Sequence, residues 1–111
     1  MSYIWTGAIF VAAAATEIGG SYAFWLWLKL EKSAFLVLPG LISLGIFAFL
    51  LTRIESVFAG RTFAAYGGVY IFASLIWLRL VEGKIPDRWD LIGGIICIFG
   101  AGIIIFGPRT P

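Results

Sequence analysis

Charged residues fall in short clusters along this chain, and the stretches between the clusters are long and apolar. The first stretch runs from Tyr3 to Leu28 and ends at Lys29, Glu31 and Lys32. The second runs from about Ala34 to Thr52 and ends at Arg53 and Glu55. The third runs from about Thr62 to Val81, with Arg79 close enough to its end to snorkel. The fourth runs from about Trp89 to Phe106 and is closed by Gly107-Pro108. Each is close to the roughly 20 residues an α-helix needs to cross bilayer hydrocarbon. None alternates like a barrel strand, and a helix satisfies its own backbone in lipid. The pattern predicts an all-α membrane protein of one domain, 1–111, with helices over approximately 3–28, 34–52, 62–81 and 89–106.

Composition points the same way. Of 111 residues, 61% are hydrophobic and 13% charged, more apolar surface than a globule of this size can hide. Lipid is therefore the expected solvent. Trp5, Trp25, Trp27, Trp77 and Trp89 all fall near predicted span ends, where amphipathic rings anchor at an interface. A net charge of +2 with no His gives no reason to expect a nucleic-acid partner. Cys97 stands alone inside an apolar run and reads as a small buried filler, with no disulfide or metal cluster. Ala12-Ala13-Ala14 has the look of a cleavage site. No Lys or Arg precedes the apolar run, however, and the run continues past it, so the first helix is read as retained. Lys29, Lys32, Arg79, Lys84 and Arg88 fall on one side of the membrane, and Arg53, Arg61 and Arg109 on the other. That bias mildly favours both termini outside and also allows insertion in both orientations.

Glu17 is the exception to the pattern. It sits near the middle of the first span with no other charge in the run. A charged side chain at that depth costs about 2.5–3.5 kcal/mol. The eight Leu, Ile, Val and Phe residues of the span return roughly 0.3–0.6 kcal/mol each, so the helix inserts only marginally by itself. On a helix, Glu17 shares a face with Phe10, Ala13, Ala14, Gly20, Ser21 and Phe24. The small neighbours let a second helix or a ligand approach the carboxyl. Two copies near one axis of a homodimer would titrate as a coupled pair, which suits a site for protons or a cation. The competing reading is a protonated Glu bonded to a neighbouring helix purely for assembly.

In the third span, Phe63, Tyr66 or Gly67, Tyr70, Ser74 and Trp77 recur at helical spacing as one aromatic-rich face. Such faces attract cations, although packing and interfacial anchoring use the same residues, and Trp77 reads as an anchor. Gly67-Gly68 can bend the span or admit a close neighbour, and a bend is what an alternating-access hinge needs. Gly93 and Gly100 in the fourth span are seven apart and read as an oligomer seam. Pro39-Gly40 marks a kink or a first turn. Arg61, near the start of the third span, either snorkels to headgroups or serves as a gate-level charge facing Glu55 or a substrate. No His/Cys ligand set, phosphate-binding glycine loop or nucleophile–base pair is present, so the residues point to neither an enzyme nor a cofactor.

The segment Gly60-Arg61-Thr62-Phe63-Ala64-Ala65-Tyr66-Gly67-Gly68-Val69-Tyr70 resembles the signature of the YnfA-type small inner-membrane proteins. Glu17-Ile18-Gly19-Gly20 and Trp25-Leu26-Trp27-Leu28-Lys29 are similar to that family too, and the likeness spans essentially the whole chain. More distantly, the chain resembles the small multidrug resistance transporters. Glu17 matches their first-helix Glu, Tyr66 their aromatic before a small-Gly pair, and Phe63 a further aromatic one turn earlier. Gly93 and Gly100 match their dimerising glycines, and Asp87 an acidic residue six positions before the first of these. Gly60-Arg61 departs from their apolar, proline-containing turn, and Phe63 stands where a Tyr is usual. The resemblance implies a multi-pass protein of the bacterial inner membrane, built as an antiparallel homodimer of four-helix protomers. Its implied activity is proton-coupled export of lipophilic or quaternary cations.

Two classes of function follow. In the first, Glu17 binds protons and substrate in turn, Phe63, Tyr66 and Tyr70 line the pocket, and Gly67-Gly68 is the hinge. In the second, the protein is a structural or helper membrane protein and Glu17 is an interhelical hydrogen bond. A narrow ion channel is disfavoured, because the second span offers only Ser43 and Thr52 as polar side chains.

Overall fold

The computed structural model describes residues 3–55 and 58–109, and among them every regular element is helical. The order is α1 (Tyr3–Leu28), a 3₁₀ turn (Ala34–Leu36), α2 (Val37–Leu51), α3 (Ala59–Leu80) and α4 (Arg88–Phe106). All four helices, α2 counted with its 3₁₀ turn, are long and apolar enough to cross a membrane. At 1.5 Å per residue the 26 residues of α1 extend about 39 Å, beyond the ~30 Å hydrocarbon thickness, so this helix tilts or projects.

Local chemistry explains the boundaries. The third helix starts at Ala59, ahead of the expected 62. Phe58 is extended at φ −116°, and Thr62 donates both its N–H (3.2 Å) and its hydroxyl (3.3 Å) to the Phe58 carbonyl. Neither Gly60 nor Arg61 interrupts that turn, so Arg61 lies inside the helix. The 3₁₀ turn before α2 is capped by Ser33, whose hydroxyl accepts from the Phe35 N–H at 3.2 Å. Pro39 is the third residue of α2, where a missing N–H leaves no intrahelical bond unmade. Asp87 caps α4: its carboxylate accepts from the Asp90 N–H at 2.9 Å, and the Asp90 carboxylate accepts from the Asp87 N–H at 3.0 Å.

The chain divides into two compact units, one holding α1 and α2 and the other α3 and α4. Each is a helical hairpin, and the two turns share one design. In the first, the Trp25 carbonyl accepts from the N–H groups of Lys29 (2.9 Å) and Leu30 (3.3 Å), and that of Leu26 from Lys32 (2.9 Å). In the second, the Trp77 carbonyl accepts from Val81 (2.8 Å) and Glu82 (3.4 Å), and that of Leu78 from Lys84 (3.0 Å). The residue just before each lysine is left-handed: Glu31 at φ 56° and Gly83 at φ 73°. The same reversal is thus made once with the residue suited to it and once with a strained one.

Small residues are prominent among those buried. Ala13, Ala14, Ala65 and Ala101 are buried together with a few large side chains such as Phe10 and Tyr66, whereas Ile4, Phe35, Phe99 and Ile103 are each at least 70% exposed. Lipid is as apolar as these large side chains, so nothing drives them inward, and small residues let backbones approach.

The two turns generate a prediction with opposite signs. Glu31→Gly should stabilise the protein by about 0.5–1 kcal/mol, while Gly83→Glu should destabilise it by about 1–2 kcal/mol. Denaturation of the purified variants in detergent measures both, and equal signs would contradict the shared turn design.

Candidate functional site

The candidate residues lie on both hairpins, and each set is described within its own. Glu17 is half-buried, the fifteenth of the 26 residues of α1. Of the residues expected on its face, Phe10, Ala13, Ala14 and Gly20 are buried, Phe24 is half-buried and Ser21 is exposed. Gly20 is small because α2 crosses there. A methyl group on it would stand 2.8 Å from the Gly40 carbonyl oxygen and 2.9 Å from Leu44 Cγ. A methyl on Gly40 would in turn stand 3.1 Å from Ala23 Cβ and 3.2 Å from the Gly20 carbonyl oxygen. Gly40, which the sequence marks as part of a kink or first turn, is therefore also a helix-contact residue.

One turn away from this crossing, the Ser43 hydroxyl donates to the Thr16 carbonyl at 2.7 Å. The Thr16 hydroxyl is shared between the carbonyls of Ala12 and Ala13, each at 3.0 Å. Glu17 thus sits on a turn held by a glycine contact on one side and an interhelical hydrogen bond on the other. Ser43 and Thr16 carry no catalytic pattern, and nothing in their spacing marks them. The available signal was a lone hydroxyl in an otherwise apolar helix.

In the second hairpin the structure brings Tyr66 and Tyr70 together. Their ring centroids are 6.1 Å apart and the planes are tilted by 59°. Tyr66 is buried and Tyr70 half-buried, and Ser74 donates to the Tyr70 carbonyl at 2.8 Å. Phe63 stands apart from this pair, 56% exposed near the start of α3. The helix runs unbroken through Gly67-Gly68, and the two glycines differ in surroundings. A methyl on Gly68 would stand 2.5 Å from Ala101 Cβ and 2.6 Å from the Cys97 carbonyl oxygen, whereas one on Gly67 would meet nothing within 4 Å. Gly68 admits α4, and Gly67 faces open space.

On α4, a methyl on Gly94 would reach Leu75 Cδ1 at 2.9 Å, but Gly93 and Gly100 meet nothing within 4 Å. These two glycines are not used inside their own hairpin. Asp87 caps the helix, which accounts for an acidic residue at that position. Arg61 is exposed, with its guanidinium 5.5 Å from the Phe58 ring centroid. Lys29 over Trp25 (5.4 Å), Arg53 over Phe49 (5.9 Å) and Arg88 over Trp89 (4.9 Å) repeat that arrangement. Cations resting on rings at helix ends have the arrangement expected of interfacial anchors, and Arg61 shares that arrangement. Among the described residues no group of His, Cys, Asp or Glu is arranged to hold a metal ion.

The glycine geometry separates two kinds of substitution. Gly68→Val places a side chain against backbone and should destabilise the second hairpin by about 1–3 kcal/mol. Gly93→Val and Gly100→Val should leave its unfolding unchanged, because both positions are open. Thermal unfolding in detergent tests this, and light scattering on the last two variants reports any change of oligomeric mass.

Over residues 3–110 the chain matches the family described as "Uncharacterised BCR, YnfA/UPF0060 family". A UPF0060 membrane protein of Rhizobium etli is 59% identical over 110 residues, covering 99% of this chain and 100% of the relative. No solved structure matches it. With four apolar helices and a match over nearly its whole length, this chain belongs to the YnfA/UPF0060 family of multi-pass membrane proteins.

Proposed function

We propose that this protein is a small transporter of the bacterial inner membrane that exports lipophilic or quaternary cations in exchange for protons. The carrying observation is Glu17, a half-buried carboxyl in mid-span, set among small residues one turn from the Gly20–Gly40 helix contact. Lipid penalises a charge at that depth, so a carboxyl there is cheapest with either a proton or a cation bound. Exclusive occupancy supplies the coupling. One conformational state takes the cation and another the proton, and each ligand shifts the population toward its own state.

The remaining features take supporting roles in this reading. Tyr66 and Tyr70 form an aromatic pair of the kind that attracts a desolvated cation, and Phe63 is an exposed ring nearer the start of the same helix. Gly67, where an added methyl would meet nothing within 4 Å, is the position where α3 can bend, and Gly68 is the contact about which it does so. Gly93 and Gly100, unused within their own hairpin, are available to a second copy, giving an antiparallel homodimer with two copies of Glu17. Arg61, anchored on Phe58, takes no part in cation binding.

The test uses purified protein in liposomes with an imposed proton gradient and tetraphenylphosphonium as the probe. Wild-type protein should move the cation against its own gradient, and Glu17→Gln should reduce that flux to the level of empty vesicles. Helix content and oligomeric mass should be unchanged. Gradient-driven flux that survives Glu17→Gln would remove Glu17 from the mechanism. A wild-type protein that moves no cation would favour the helper role.

A further inference from the structure

The structure assigns Ser43 the role of a positioning residue for Glu17, an inference that rests on Glu17 being the site proposed above. The Ser43 hydroxyl lies 2.7 Å from the carbonyl oxygen of Thr16. That oxygen belongs to the peptide unit joining Thr16 to Glu17, and a peptide unit is planar from one Cα to the next. A donor held on the oxygen therefore restrains the plane whose far corner is the Glu17 Cα. Rotation of α1 at this turn, which would swing the carboxyl to a new azimuth, requires that bond to break.

The choice of acceptor is informative. A hydroxyl in a lipid-embedded helix is usually satisfied by a carbonyl one turn back in the same helix. Thr16, Thr52, Thr62 and Ser74 all do this, whereas Ser43 reaches across the hairpin. It is also the one polar side chain of α2 between Val37 and Leu51. The Gly20–Gly40 contact draws the backbones close enough for the reach. Even a methyl on Gly19 would stand 4.0 Å from Ser43 Oγ, so this neighbour does not crowd the hydroxyl. The Thr16 carbonyl is also the helical acceptor for the Gly20 N–H, so one oxygen ties the glycine contact to the Glu17 turn.

The consequence is readable at Glu17 without any transport assay. Dicyclohexylcarbodiimide partitions into lipid and reacts with protonated carboxyl groups, so its rate of reaction at Glu17, followed by mass spectrometry, reports the protonation and accessibility of that side chain. Within the hairpin, α2 brings no titratable side chain toward Glu17, and α1 carries only Tyr3 and Tyr22 besides it. A changed profile therefore does not come from a new charged neighbour on α2. The informative variants are Ser43→Thr and Ser43→Val, which have nearly the same shape and differ in the hydroxyl. In full-length protein in vesicles, with the rate followed across pH, Ser43→Val should change the rate at Glu17 by about threefold or more, and Ser43→Thr should keep the wild-type profile. Equal rates in all three proteins overturn the inference. An equal change in both variants also overturns it, by showing that only packing matters. If the profile responds as expected while wild-type vesicles move no tetraphenylphosphonium, the positioning role stands and the transport reading fails.

Discussion

Hydrocarbon offers no partner to a backbone N–H or C=O, and the structure depends on that single constraint. It forces the chain into helices long enough to cross and pushes their frayed ends to the interfaces. There the last carbonyls are taken by turn N–H groups, as at Trp25 and Trp77. The same constraint removes the hydrophobic effect as a reason for helices to associate, since a leucine is equally at home in lipid. Close backbone approach takes its place, and glycine and alanine mark where it happens. Gly20 on Gly40, and Gly68 on the Cys97 carbonyl, are the structural equivalents of a core in this protein.

A polar group in such a setting has few ways to be satisfied, and its partner is therefore informative. The hydroxyls of Thr16, Thr62 and Ser74 turn back on carbonyls one turn earlier in the chain, which costs little and conveys little. Ser43 does not, and its bond across the first hairpin lands on the peptide unit that carries Glu17. The one carboxyl in mid-membrane is thereby placed on a turn that is both closely packed and hydrogen-bonded from outside its own helix. Protein and lipid thus pull against each other at one point: lipid opposes the charge, and the packing holds the group that bears it in place.

Helix number, type and approximate span were legible because charges and apolar runs alternate on the scale of the bilayer, a one-dimensional property. Glu17 was legible for the same reason, as a cost that the apolar residues of its span barely offset. The start of α3 lies ahead of the position its charge pattern indicates, because Gly60 and Arg61 resemble loop residues. The deciding interaction is Thr62 closing on the Phe58 carbonyl, a backbone geometry that residue type does not announce. Asp87 shows the converse, since an acidic residue singled out by resemblance is explained by its place in a capping box.

The pattern of residue types alone determined that this is a four-helix membrane protein with one costly carboxyl and an aromatic third helix, because transfer free energies add along a chain. Tertiary structure decided which glycines make contact. Gly20, Gly40 and Gly68 meet backbone, while Gly67, Gly93 and Gly100 face open space, although all six look alike in sequence. It also decided that Tyr66 is buried while Phe63 stays exposed, and that Ser43 bonds to the Glu17 turn. Those outcomes depend on which azimuth of one helix meets which azimuth of another. That rotation is set by contacts between residues far apart in the chain, and local periodicity does not determine it.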